Sequence, residues 1–417
     1  SMIKNTVHAS AWTSLTPAPA QYRWLDEDTA CEVAVVGGGI AAAMIAMRFA
    51  EAGIDTVLLS DSPLGYGSTA VSSGIMTLSG EETLTCLAEK IGPERAMTAA
   101  HLLAEALDNV ENLCGSFQNG CGFRRMDSLR YATESEGSAV LRREYSLRLH
   151  NGMDVELLDA DTASEQFTFP MSAGVYTKNT AAQVDPYRMV HGLAGLAVGK
   201  GARIFENTGA ETIEQTEEGT VLVECSTGHT VTAGYVVMAT GLDVSRHCGG
   251  LDDVRTTYMA LTEPVDGFAG WRGPCVIHRE EEPRLYLSVT EDNRILIGGL
   301  DSAFMDEKGR VAGLLDMTPA VEKRFDSLAY ILRDMFPAIP NITVEYVFAA
   351  KDGTTKDRLP VIGRLPDCSQ IAYAMCCGDN GILYAEAAGR LLLQQYQGID
   401  DHELGLFSPH REWRVKR

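Results

Sequence analysis

The residues best placed to do chemistry come early in the chain. Gly37-Gly38-Gly39-Ile40-Ala41-Ala42 is a G-x-G-x-x-A string. In such a string Gly37 makes a tight turn, Gly39 lets backbone N–H groups approach a pyrophosphate at a helix N-terminus, and the small Ala42 permits close helix-to-strand packing. The chemistry indicated is dinucleotide binding. With 40 Gly in 417 residues the string alone is common, and its context carries the reading. Glu32–Val36 reads as a short apolar strand, Ile40–Ala52 as an Ala-rich helix ended by Gly53, and Thr56–Leu59 as a second buried strand. The acidic residue that bonds a ribose at the end of such a strand is displaced: Ser60 holds its position and Asp61 follows. Ser60 can give or take one such bond, while Asp61 is either a ribose partner or a solvated loop residue.

Other catalytic signatures are missing. The chain has no G-x-S-x-G elbow, no Walker phosphate loop and no H-E-x-x-H, and its nine histidines are scattered, so hydrolase, kinase and zinc-enzyme readings lose support and no metal site is expected. Adjacent Cys376-Cys377 reads more simply as two small buried hydrophobes than as a redox pair. The tryptophans at 12, 24, 271 and 413 read as packing residues.

Composition bounds the partners. Lys+Arg number 35 against 57 Asp+Glu, a net charge of −22 that repels phosphate backbones and anionic lipid, so neither nucleic acid nor a membrane surface is an expected partner. The most apolar stretch, Val33 to Met47, is broken by three glycines and falls short of the ~20 residues that span a bilayer. Ten cysteines without a C-x-x-C pair fit reduced thiols in a cytoplasm, and no signal peptide is read at the N-terminus.

Residues 10–30 contain Pro17-Ala-Pro19 and read as an extended lead-in. Helices are expected over Glu82–Ile91, Pro93–Cys114, Pro186–Gly199, Pro319–Phe336 and Ile382–Gln397, with a polar helix near Glu136–His150. Thr220–Cys225 and Thr230–Ala239 read as paired strands, and strands dominate Thr256–Gly299. The fold class expected is α/β, with a Rossmann-like dinucleotide domain and an inserted antiparallel-sheet substrate domain. The dinucleotide domain would be discontinuous, over 31–80, 181–245 and 348–417, with 81–180 and 246–347 forming the substrate domain and 1–30 the lead-in.

Beyond the fingerprint the sequence resembles the D-amino-acid oxidase superfamily of FAD-dependent oxidoreductases, which includes glycine, sarcosine and γ-glutamylputrescine oxidases. Gly65-Tyr-Gly67-Ser68-Thr69 is similar to the family's second Gly/Ser/Thr loop, which lies along the flavin. Gln183-Val-Asp185-Pro186, Gly201-Ala-Arg-Ile204 and Val236-Val-Met-Ala239-Thr240-Gly241 resemble its return to the FAD domain and its "ATG" strand. Asp357-Arg-Leu-Pro360-Val-Ile-Gly363 and Asn380-Gly381-Ile382 resemble its closing loop and the last helix, which faces the flavin. The resemblance runs in order from about Trp12 to Arg411. It implies that FAD is held by Gly37, Gly39, Ile40, Ala42, Ser60 or Asp61, Gly67, Ser68, Thr69, Ser73, Ala210, Thr240, Gly241, Asn380, Gly381, Ile382 and Leu383. Within the superfamily it is nearest to a branch whose members often carry a C-terminal Rieske domain, which is not expected here because no Cys/His ligand pairs occur before Arg417.

Departures from the family shape the functional expectation. By the same resemblance, amino-acid-specific members carry a carboxylate-clamping Arg where this chain has Asp352, and sarcosine-type members tether FAD through a Cys that would fall near Ala350. Non-covalent FAD is therefore expected. The resemblance implies removal of a hydride from a C–H next to an amine in a small molecule, with imine hydrolysis afterwards. Asp352 and its neighbour Lys351, on a loop over the flavin, are the candidate recognition residues, and either oxygen or a protein would take the electrons. The alternatives are oxidation of a 2-hydroxy acid or polyol on the same fold, or a flavin-bearing electron-transfer or interaction subunit without substrate chemistry.

Overall fold

A computed structural model describes residues 4–5, 10–17, 19–303, 317–399 and 402–412. Short apolar runs bounded by glycines give two sheets. The smaller sheet orders its strands as Val361–Arg364, Ile371–Met375, Thr230–Met238, Thr29–Val36, Thr56–Leu59 and Arg203–Phe205, with Val221–Cys225 and Ala210–Gln215 pairing onward from Thr230–Met238. The five strands from Ile371–Met375 to Arg203–Phe205 are parallel, and Val36 stands in register with both Leu59 and Met238. The carboxyl ends of the middle strands thus finish together at one edge, where open α/β sheets bind ligands.

Helices Ile40–Glu51, Pro93–Gly115, Pro186–Gly199 and Gly381–Tyr396 cover one face of this sheet, burying Met44, Ile45, Leu107, Leu193 and Leu391 with Val35 and Val237. The first is all Ala, Ile, Met and Phe along its buried side, which lets it sit close to the strands. On the other face Leu25, Phe205, Val221, Val223 and Val231 form a second layer.

The larger sheet runs Lys4–Asn5, Val344–Thr355, Leu251–Thr262, Ile295–Ala303, Leu285–Val289, Cys275–Arg279, Arg124–Ala132, Ala173–Gln183 and Ile75–Thr77, with Val155–Asp159 beside Ala173–Gln183. Helix Pro319–Met335 packs on it through Val321, Phe325, Leu328 and Leu332, a spacing of three and four residues that keeps one stripe apolar. This sheet takes in Ile75–Thr77 and continues to Thr355, so it overlaps the segments 31–80 and 348–417.

Three expectations are corrected. The lead-in is not wholly extended: Ser10 and Thr13 form a capping box that starts a helix at Ala11–Leu15. Its Trp12 is buried and donates its indole N–H to the Ser72 carbonyl at 2.8 Å, and Trp271 is buried too, but Trp24 is 62% exposed. Trp413 lies outside the described residues. Lys351 and Asp352 are not on a loop. They belong to the strand Val344–Thr355, opposite Thr256 and Arg255, because the ladder with Leu251–Thr262 continues past Gly353 instead of turning there.

Candidate active site

The fingerprint turn is shaped by what stands behind it. Gly37 has φ +143°, and a Cβ there would fall 2.1 Å from the carbonyl oxygen of Ala239, so the residue must be glycine for Thr29–Val36 and Thr230–Met238 to end side by side. Gly39 is the N-cap of the fingerprint helix and has no side chain to cap it. A Cβ on Gly39 would meet the Thr69 hydroxyl first, at 2.8 Å, and that hydroxyl accepts the Ile40 N–H at 3.0 Å. The two glycine-bearing loops expected to share a ligand are therefore in direct contact. Ala42 is fully buried and lies 3.1 Å from the position of a Gly37 Cβ, which leaves no space for a larger residue.

Thr240 and Gly241 follow the strand end next door. Thr240 has a buried Oγ1 without a hydrogen-bond partner, and Gly241 lies close to Ser68. Gly67 opens the short helical turn Ser68–Val71. Ser73 accepts the Ile75 N–H on its hydroxyl, and its carbonyl accepts from Gln183 Nε2. Further out, Ala210 begins the strand Ala210–Gln215, Ser60 is buried with its hydroxyl donated to the Ser62 carbonyl at 2.6 Å, and Asp61 is exposed. Ser60 is thus engaged within the protein, and Asp61 is the open one of the two.

At the opposite end of the group stands the helix Gly381–Tyr396. Its N-cap Asn380 does not cap it: the Asn380 Oδ1 accepts the Thr77 N–H at 3.2 Å instead, so the first turn keeps free donors and the positive end of the helix dipole. Ile382 and Leu383 are buried in the helix-covered core.

A helix start whose glycine N-cap carries no side chain and whose Ile40 N–H is met by Thr69, an orphaned Thr240 hydroxyl and a second helix end left uncapped by Asn380 make a donor-rich cradle suited to a dinucleotide diphosphate and its ring system. These residues fit FAD.

Beside Asn380 lies a charged cluster that no sequence motif marks. Arg284, 7% exposed, stands among four carboxylates: Asp379 at 3.1 Å, Glu81 and Asp301 at 3.6 Å and Asp352 at 3.7 Å. Its guanidinium also lies 4.9 Å from the centre of the Tyr286 ring, which occupies space left free by Gly298. Arg255 pairs with Glu81 at 2.6 Å and with Asp301 and Asp253 at 3.2 and 3.3 Å, and Arg358 reaches Glu81 and Glu82 at 3.9 and 3.4 Å. With Lys90 on Glu82, the network sets six carboxylates (Glu81, Glu82, Asp253, Asp301, Asp352, Asp379) against four cations (Arg255, Arg284, Arg358, Lys90). Burial pushes the Asp352 carboxyl up to about 7; Arg284 opposes this, and Asp379, Glu81 and Asp301 add to it. Burial and then Asp379 raise Glu81 as well. Nearby His278 is driven down to about 3 by burial and Arg130, and so stays neutral.

The structure therefore places Asp352 against Arg284, with Lys351 at the neighbouring strand position. Asp379 stands next to the expected Asn380-Gly381 but was not itself expected at a site. Nothing in the sequence marks Arg284, Asp301 or Glu81.

Among the described residues no helix is long and apolar enough to cross a membrane. A model of FAD-dependent oxidoreductases matches residues 32–395. The chain is 24% identical over 407 residues to gamma-glutamylputrescine oxidoreductase of Escherichia coli (strain K12), covering 94% of this chain and 90% of that one. It is 25% identical over 369 residues to glycine oxidase of Bacillus subtilis (strain 168), covering 87% and 91%. The crystal structure of glycine oxidase from Geobacillus kaustophilus superposes with a TM-score of 0.75 at 20% identity, over 92% of this chain and 99% of that one. The match along nearly the whole chain and the donor-rich cradle agree: this chain belongs to the DAO family of FAD-dependent oxidoreductases.

Proposed function

We propose that this enzyme removes a hydride from a carbon bearing an amine, and that it selects cationic amines over α-amino acids and 2-hydroxy acids. When bound, FAD supplies the acceptor for the hydride at its N5. The C–H electron pair leaves with the hydride, the nitrogen lone pair forms the C=N bond, and water then splits the imine to a carbonyl compound and a free amine.

The observation that carries this reading is the excess of carboxylate over cation around Arg284, beside the uncapped end of Gly381–Tyr396. Arg284, the most buried cation of this cluster, is already surrounded by acids. A substrate carboxylate meets repulsion there, whereas an ammonium is drawn to Asp352 and its neighbours, and low solvent access strengthens both effects. The protein's task at the reacting carbon is orientation, with the ammonium held until its proton is lost. Ala350 is buried where a tethering Cys would stand, which supports non-covalent FAD.

Anaerobic titration of the yellow protein with amines, α-amino acids and 2-hydroxy acids tests the reading. Amines should bleach the flavin at concentrations at least tenfold below the others. A preference for a plain α-amino acid or hydroxy acid would overturn it, and no bleaching by any of them would point to an electron-transfer subunit.

A further inference from the structure

We propose that Asn380 is a positioning residue for the flavin. Its side-chain bond to the Thr77 N–H keeps the helix Gly381–Tyr396 uncapped and leaves three donors for the carbonyl edge of the flavin ring, so that the edge strand Ile75–Thr77 of the larger sheet sets how readily the ring takes up negative charge. The inference rests on the FAD assignment alone and holds whichever substrate is oxidised.

Three donors at this helix end lack acceptors. The first bond of the helix runs from the Tyr384 N–H to the Asn380 carbonyl at 2.9 Å, and the Gly381 N–H reaches the Gly378 carbonyl at 3.3 Å. Among the described residues the N–H groups of Ile382 and Leu383 meet no acceptor, although both residues are buried. Asn380 is 5% exposed, and its Nδ2 makes no hydrogen bond either, while its Oδ1 is taken by Thr77. Buried N–H groups without partners are rare in folded proteins, so unpaired donors this close together call for a ligand that brings acceptors. No protein carboxylate answers them: the first turn holds no acidic residue, and the neighbouring Asp379 accepts from Arg284 at 3.1 Å.

Sheet order identifies the acceptors. This helix follows the strand Ile371–Met375 and the fingerprint helix follows Thr29–Val36; the two strands are parallel, with Thr230–Met238 between them. At about 4.8 Å per strand the two helix starts lie roughly 10 Å apart along one sheet edge. FAD has a single diphosphate, which the fingerprint turn takes, and its five-carbon ribityl chain bridges such a gap to the ring system. The acceptors that arrive at the second helix end are then ring carbonyl oxygens and a ring nitrogen. On receiving a hydride the ring gains one negative charge, which these atoms share, and free donors at the positive end of a helix stabilise it. A capped helix would give up part of that effect. Asn is a favoured N-cap residue, but Thr77 holds its Oδ1 at 3.2 Å, and Asn380 has φ −112° and ψ 27°, outside the extended conformation that capping uses. Gly80 makes room for the amide, since a Cβ there would lie 3.2 Å from Nδ2.

The test uses sulfite on the FAD-loaded full chain, because sulfite adds to flavin N5 and leaves the ring with one negative charge. Wild type should be bleached at a sulfite concentration at least tenfold below that needed for free FAD. Asn380→Asp can still accept the Thr77 N–H but puts a charge where a donor stood. Its sulfite dissociation constant should rise at least tenfold, which corresponds to a fall of about 30 mV in a two-electron midpoint potential. Asn380→Ser, too short to reach Thr77 and free to cap the helix, should move both readings in the same direction by a smaller factor. A merely structural role would lower FAD content or melting temperature and leave the sulfite affinity of the loaded fraction unchanged in both variants; that result would overturn the proposal. So would a wild type that binds sulfite no better than free FAD, and this comparison decides the matter if neither variant retains FAD.

Discussion

Arg284 Nη1 and Asp352 Oδ2 stand 3.7 Å apart, although two strands separate their segments in the order of the larger sheet. The distance allows attraction without a hydrogen bond, so Asp352 keeps acceptor capacity while its charge is only partly balanced. Burial pushes its carboxyl up to about 7. Amine binding should therefore strengthen as pH rises through about 7, while the amine itself is still protonated. In Asp352→Asn the concentration of amine needed for half-bleaching at pH 8 should rise by about tenfold, or ~1.4 kcal/mol, and the pH step should disappear with FAD content unchanged. Unchanged amine reduction in that variant would remove Asp352 from recognition.

The same carboxyl sets a trend in stability. Its folded-state value of about 7 lies above the ordinary 3.8, so between pH 4 and 7 the folded chain binds more protons at this site than the unfolded one. Linkage then lowers stability as pH rises through that window, and Glu81, also raised, acts in the same direction. Asp352→Asn should flatten the decline and be the more stable protein at pH 8. Urea unfolding across pH 5 to 8 measures it; a wild type whose stability climbs steadily, with the variant parallel to it, would contradict the assignment.

The fingerprint loop offers a graded test. Gly37→Ala puts a Cβ 2.1 Å from a backbone carbonyl that cannot swing away, so loss of FAD should come with a lower melting temperature. Thr69→Val is gentler: it leaves the Ile40 N–H without its partner and should weaken FAD retention by roughly 1–3 kcal/mol. Exposed Gly195, in a helix with open space around it, should tolerate Ala with full flavin and a gain of roughly 0.5–1 kcal/mol. Flavin content after gel filtration separates the three, and full retention in Gly37→Ala would reduce the motif to a plain turn.

What the sequence made legible follows from locality. Pro186–Gly199 is readable to the residue because Asp185 accepts the N–H groups of Tyr187 and Arg188, a proline holds the first position and a glycine the last. Thr56–Leu59 is a β-branched and leucine run cut by Ser60-Asp61. The helix at Ala11–Leu15 is obscured by the prolines after it, and the strand character of Lys351-Asp352 by Gly353, because pairing with Leu251–Thr262 outweighs local propensity. The glycine turns expected to hold FAD were legible as turns, since each glycine belongs to a short motif. The acid-rich surroundings of Arg284 were not: Glu81, Asp301, Asp352 and Asp379 meet only when both sheets are folded.

Sheet order gives the last prediction. The fingerprint strand Thr29–Val36 has Thr230–Met238 on one side and Thr56–Leu59 on the other, and its seven paired positions with the former exceed its four with the latter. A fragment ending near residue 180 would keep the fingerprint and lose Arg203–Phe205, Thr230–Met238, Ile371–Met375 and the helix Gly381–Tyr396. It would expose Val33, Val35 and the buried side of Ile40–Glu51, and it would lack both Thr240 and the second helix end of the cradle. Limited proteolysis should thus yield nicked but associated chains that stay yellow until denaturant separates them. An isolated fragment ending near 180 that stays folded and binds FAD would show that the N-terminal unit suffices, and would refute the discontinuous dinucleotide domain over 31–80, 181–245 and 348–417.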